Sequence, residues 1–185
     1  MAKKSTYKAS FRRRKEGKTN YKKRLALLKS KAPRLVARKT NKNIIAQVIE
    51  YDSKGDKTLV HVNSSQLEAF GWEFGKKSLS SAYLTGLLAG TKAKKAKVEK
   101  ANLDIGFAIP KRGGWWASVL KGAKDAGLDI KAGENAMPSE ERVKGKHIED
   151  YAKQAEKPKG VFSKADPKDI TKKFEEAKQK ILQSK

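Results

Sequence analysis

The sequence predicts a mixed α/β body with a basic N-terminal arm and a C-terminal helical appendage. Three observations carry that reading. Residues 34–63 hold three runs rich in β-branched side chains, joined by short turn-forming links. At Ser78 the apolar spacing changes from alternation to a helical period. Residues 103–130 then follow the order strand, helix, strand, the pattern of a parallel crossover. The expected architecture is an antiparallel three-strand meander continuing into a βαβ unit, with helices packed on the sheet.

The arm comes first. From Lys3 to Arg24, eleven of 22 positions are Lys or Arg and Glu16 is the one acid, with Tyr7, Phe11 and Tyr21 between the charges. No apolar repeat there can close a core, so the segment is expected to fold only on a polyanion. Thr19 or Asn20 is placed to cap a short helix with Tyr21, Leu25 and Leu28 on one face, which would pin the arm to the body. Pro33 ends it.

The strands are expected at 34–39, 43–51 and 57–63, with turns at 40–42 and 52–56. Arg38 and Lys39 then lie beside a turn at the sheet edge, able to reach phosphates. The helix from Ser78 carries Leu79, Tyr83, Leu84, Leu87 and Leu88, and Ala82, Gly86, Ala89 and Gly90 would let it approach the sheet closely. Leu103, Ile105, Phe107 and Ile109 alternate as a strand over 103–110. The Trp115–Gly127 stretch reads as a helix with Val119, Leu120, Ala123 and Ala126 inward, and 128–130 as a short strand. A helix over 139–156 would align Val143, His147, Ile148, Tyr151 and Ala155. After a linker, Asp166-Pro167 opens a last helix with Ile170, Phe174, Ala177 and Ile181 on one stripe. The expected division is 1–32 for arm and short helix, 33–132 for the body and 133–185 for the helical extension.

The charge pattern narrows the function. Of 185 residues with a formal net charge of +24, the first 42 hold 17 bases and one acid. That asymmetry points to nucleic acid before an acidic membrane surface. No apolar run reaches bilayer length, and no h-region follows the N-terminal charges, so no membrane partner and a cytoplasmic location are expected. There is no Cys, which removes disulfides and thiolate sites.

Enzyme readings fare worse. Gly71–Ser78 resembles a phosphate loop but is one residue short between its glycines, and Lys77 stands where a hydroxyl should bind magnesium. Glu50, Asp52, Asp104 and Asp125 are the acids available to a metal-dependent nuclease, and turn and cap duties account for each. His61 and His147 read as packing residues; Trp115 and Trp116, after a Gly-Gly hinge and two bases, offer a stacking role, but a helix start with at least one ring in the core is the favoured reading. No catalytic residue, metal site or cofactor is expected. Rings among cations suit splayed RNA bases.

Several blocks carry a resemblance: RRRKEGKTNYKKRLALLKSKAPRLVARKTNKNIIAQVI at 12–49, NSSQLEAFGWEFGKKSLSSAYLTGLLAG at 63–90, ANLDIGFAIP at 101–110, GAKDAGLDI at 122–130 and RVKGKHIEDYA at 142–152. In order and over nearly the whole chain, they resemble the archaeal type of the large-subunit ribosomal protein L-eighteen family, related to the eukaryotic ribosomal protein L-five. The resemblance implies a non-enzymatic protein that binds 5S rRNA and helps attach it to large-subunit rRNA in the central protuberance, beside neighbouring ribosomal proteins. It implies RNA-binding residues Arg12, Arg13, Arg14, Lys15, Lys18, Tyr21, Lys22 and Arg24 in the arm and helix, and Arg38, Lys39, Asn41 and Lys42 at the sheet. Two other readings compete: a general nucleic-acid packaging protein, and a metal-dependent nuclease.

Overall fold

The computed structural model describes residues 8–154 and 167–184. Tyr7, Ala155, Asp166 and the linker expected around 157–166 lie outside the described residues. A short turn of helix, α1 (Arg12–Lys15), and α2 (Tyr21–Leu28) precede the strands β1 (Arg34–Lys39), β2 (Ile44–Glu50) and β3 (Lys57–Asn63). Then come α3 (Leu79–Lys95), β4 (Asn102–Asp104), α4 (Trp115–Asp125), α5 (Glu140–Lys144), α6 (Lys146–Gln154) and α7 (Ile170–Gln183). The sheet order is β3-β2-β1-β4, with the meander antiparallel and β4 parallel to β1.

The meander forms where β-branched runs meet turn chemistry. At its first turn, Thr40 and Asn43 exchange hydrogen bonds through the Thr40 hydroxyl and both backbones. The register then sorts the side chains. Leu35, Ala37, Ala46, Val48, Val60 and Val62 face one way and are buried under helices. Arg34, Val36, Arg38, Gln47, Ile49 and Asp104 face the other, where α2 and the arm lie.

The helix α3 is the centre of the core. Its capping Ser78 accepts from the Ser81 N–H at 3.1 Å, and every residue from Ser80 to Thr91 is buried. Its small residues serve a different neighbour from the one expected. A Cβ on Gly86 would stand 2.0 Å from the Val119 carbonyl oxygen, and one on Gly122 2.1 Å from the Tyr83 oxygen. The close approach is therefore between α3 and α4, because both helices lack a side chain where their backbones cross.

Four further expectations are corrected. The strand expected over 103–110 stops at Asp104, because Asp104 Oδ1 accepts from the Gly106 N–H at 2.8 Å and Gly106 takes φ +60, turning the chain away. Phe107 and Ile109 are then 51% and 75% exposed rather than inward. Residues 128–130 keep only an isolated parallel bridge, Lys100 to Asp129, so the parallel strand pair of the crossover is β1 with β4. The helix expected over 139–156 is broken at Gly145, which adopts φ 86. Val143, ahead of the break, is buried as expected; the break rotates the second half, leaving His147 and Tyr151 exposed and turning Ala152 inward beside the partly buried Ile148. His61 is also a surface residue, hydrogen-bonded to Gln47 at 3.1 Å on the exposed side of β3.

The α7 stripe is as expected, with Ile170, Phe174, Ala177 and Ile181 all buried. The helix docks on α3, where the Phe174 ring lies 5.4 Å from that of Tyr83 and 6.4 Å from that of Trp72. Trp116 joins the core and Trp115 is partly buried against it.

Candidate nucleic-acid interface

The basic arm does not trail away from the body. Phe11 and Tyr21 pack ring to ring at 5.0 Å, and the Arg13 Nε donates to the Thr19 hydroxyl at 2.9 Å. Asn20 caps α2, its Oδ1 accepting from the Lys23 N–H at 3.1 Å. The apolar face expected to pin this helix is corrected. Leu25 is 62% exposed, while Arg24, Leu27 and Leu28 are partly covered. What faces α2 is a charged layer of the sheet, so the inward side of the helix carries an arginine.

That layer is an alternation of signs. Arg24 is bidentate to Asp56, at 2.6 and 2.7 Å. Arg34, 4% exposed, donates to Asp56 at 2.7 Å and to Asp104 at 2.9 Å. Arg38 donates to the Asp104 backbone oxygen at 3.1 Å and lies over Gly106, where a Cβ would come within 3.0 Å of its guanidinium. The Arg24 fork holds the Asp56 carboxyl below the ordinary aspartate range against the opposing effect of burial. The same carboxylate raises the Arg24 pKa. A cavity of about 240 Å³ remains between the arm, α2 and this face.

Beside it opens a wider cleft of about 720 Å³. Its walls bring together Arg13 and Lys18 of the arm, Arg38, Lys39 and Asn41 of the sheet edge, and Lys77. Phe107 and Trp115 supply ring surface. The edge is open here because β4 pairs only with residues 34–36 of β1, leaving Arg38 and Lys39 beyond it. Sequence reasoning missed Lys77 and Phe107 as members of the cleft, and weighed stacking for Trp115 without placing it there. Only the fold brings the 77, 107 and 115 positions to the first turn of the meander.

The remaining site residues are placed less uniformly. Arg14, Lys15, Lys22 and Lys42 are exposed and outside the cleft lining. Arg12 is exposed and paired with Glu16 at 3.2 Å, and Lys18 reaches the same carboxylate at 2.8 Å. Tyr21 is occupied by Phe11, and Arg24 by Asp56.

Three of the four acids weighed for a nuclease are engaged by other partners, and Glu50 is exposed at the end of β2. Asp104 is held by Arg34, Asp52 by Lys57 at 3.1 Å, and Asp125 accepts from the Tyr83 hydroxyl at 2.6 Å. Burial, then the Asp125 carboxylate, push the Tyr83 phenol up. Among the described residues no group of three or more His, Cys, Asp or Glu side chains is arranged to hold a metal ion. No helix there is long and apolar enough to cross a membrane.

Residues 5–102 match the family model described as ribosomal large subunit proteins 60S L5 and 50S L18. The chain belongs to this family. It is 44% identical over 189 residues to the large ribosomal subunit protein uL18 of Korarchaeum cryptofilum (strain OPF8), covering 98% of this chain and 97% of that protein. The family assignment makes this chain a structural protein of the large ribosomal subunit rather than an enzyme, of the type found in archaea. The matched segment contains the arm from residue 5 on, the meander and α3, and therefore most of the cleft.

Proposed function

We propose that this protein binds 5S rRNA in the cleft between its arm and its sheet edge, and helps attach that RNA to the large-subunit rRNA in the central protuberance. The observation that carries the reading is the convergence of Arg13 and Lys18 with Arg38, Lys39, Asn41 and Lys77 around one opening. Guanidinium and ammonium groups on two walls can neutralise phosphates of one strand, while Phe107 and Trp115 offer faces on which an unpaired base can stack. Exposed Arg12, Arg14, Lys15, Lys22 and Lys42 extend the same positive surface along the RNA. Arm, body and C-terminal extension then divide the work, with neighbouring ribosomal proteins or large-subunit rRNA met by the outer face of α6, where Tyr151 is half exposed.

Affinity for in vitro transcribed 5S rRNA, measured across a salt series, tests the reading. With about six phosphates neutralised, log K falls against log salt with a slope of about −4 to −5. Deleting residues 1–24 should weaken binding strongly while the body stays folded. A slope near −1, or an affinity indifferent to the deletion, overturns it. Equal affinity for duplex DNA would instead favour general nucleic-acid packaging.

A further inference from the structure

We propose that Asp56 is a positioning residue for RNA binding: its carboxylate latches α2, and with it the basic arm, against the sheet. The inference rests on the reading of the cleft as the RNA site, and asks what keeps one wall of that cleft in place.

Little else holds α2. It has eight residues and none of them is buried. A helix that short is not stable by itself in water. Among the described residues, besides the partly covered Leu27 and Leu28, the ties from the helix across to the body are the Arg24 fork on Asp56 and a longer bond from Lys23 Nζ to the Gly106 oxygen at 3.4 Å. Just past its C-terminus, the Ser30 hydroxyl also accepts from the Asn102 side-chain amide of β4, which holds the exit of the helix but not its arm end. Charge makes the problem sharper. Arm and helix bring Arg13, Lys18, Lys23 and Arg24 onto a sheet face that already carries Arg34 and Arg38. Cations on both sides repel unless anions lie between them. Asp56 and Asp104 are those anions, and Asp56 is the one that touches both sides, bonding Arg24 of the helix and Arg34 of the strand.

Asp56 comes from the link between β2 and β3, where sequence reasoning sees only a turn-forming residue. In the fold it joins that link to the arm, 32 residues earlier. Arg24 acts through it, setting the direction in which the rest of the arm leaves the body. A latched arm presents Arg13 and Lys18 at the cleft already ordered, so that binding costs less conformational entropy.

The sign of the expected effect separates this idea from simple charge counting. Asp56→Asn raises the formal charge of +24 by one, and electrostatics alone would then tighten RNA binding. Loss of the latch predicts the reverse. We expect Asp56→Asn to bind in vitro transcribed 5S rRNA about tenfold more weakly, by the loss of the bidentate ion pair with Arg24 and of the preorganised state. Arg24→Gln, which leaves Arg34 both of its carboxylates, should weaken binding to a similar extent with an unchanged salt slope. A slope shallower by about 0.7–0.9 would make Arg24 a phosphate contact and overturn the assignment.

Amide hydrogen exchange of the free full-length protein supplies the second measurement. Both variants should speed exchange over residues 21–28 and leave α3 and the strands unchanged, which also shows that the body remains folded. Unchanged exchange over 21–28 overturns the latch. Faster exchange with equal or tighter RNA binding overturns the positioning role. A wild-type chain that fails to bind 5S rRNA overturns the identity of the RNA instead, and the exchange rates then decide the latch by themselves.

Discussion

Gly86→Ala tests the packing that holds the fold together. The new Cβ would stand 2.0 Å from the Val119 carbonyl oxygen, 2.7 Å from its carbonyl carbon and 2.8 Å from its Cα. A carbon and a carbonyl oxygen rest at about 3.3 Å or more, so α3 and α4 must separate by roughly 1.3 Å. A radial gap of about 0.5–1 Å already forfeits a quarter to a half of each dispersion contact. The loss falls on Tyr83, Leu87, Val119, Leu120 and Ala123, which are all buried. All three neighbouring atoms are backbone and none is the end of a flexible side chain, so the strain has no cheap exit. Against it stands a gain of about 1 kcal/mol, because alanine is the better helix former. Overpacking of this kind wins, with a net cost of about 2–3 kcal/mol. Urea and thermal unfolding followed by circular dichroism should report it as a Tm lower by about 4–12 °C. Gly75→Ala is the control, since its Cβ meets nothing within 4 Å, and it should stay within about 0.5 kcal/mol of the parent. A Gly86→Ala protein as stable as the parent, or more stable, would refute the close helix crossing.

Other outcomes follow from the same structure. Phe174→Ala removes a ring that is 1% exposed between Tyr83 and Trp72, and should cost about 3–5 kcal/mol in urea unfolding. A pair of substitutions, Lys39→Ala and Lys77→Ala, should make the salt slope for 5S rRNA shallower by about 1.4–1.8 without altering stability; an unchanged slope would remove these residues from the interface. The folded Asp56 pKa lies below the ordinary value of 3.8, so the stability it lends α2 is complete above pH 3.8 and is lost as pH falls through the lower folded value. Exchange over residues 21–28 should therefore be insensitive to pH-induced release between pH 7 and 5, once corrected for intrinsic rates, and should show release below pH 3.8. Release near pH 6 would point to a different titrating group.

How far the sequence could be read depended on whether a signal was local. The strands at 34–39 and 57–63 lie where β-branched runs meet turn residues, and the α7 stripe of Ile170, Phe174, Ala177 and Ile181 lies where the helical period puts it. Periodicity cannot say which neighbour a face meets. Gly86 and Gly90 announce a close approach, yet only the fold assigns it to α4. The α2 helix fails the same way in reverse. Leu25 is apolar and exposed, Arg24 is charged and partly covered, because the surface opposite is a layer of carboxylates drawn from residues 56 and 104. At the interface, the dense charges of the arm and the Arg38–Lys42 turn were legible as composition. Lys77, Phe107 and Trp115 were not, since they reach the cleft through α3, α4 and the turn at Gly106.

The docking of α7 on α3 also sets a timetable. A ribosome adding about 5–20 residues per second extends the chain from the end of α2 to the start of α7 over on the order of ten seconds. Once residues 72–83 have left the exit tunnel the N-terminal cations are outside as well, while Tyr83 and Trp72 still lack the Phe174 ring that packs on them. A nascent chain of this protein is thus adhesive before it is complete, able to seize polyanions with its first residues while its central helix still shows apolar surface. Slowing translation between residues 95 and 170 should lengthen that exposure, and with it the demand for a chaperone that shields the helix.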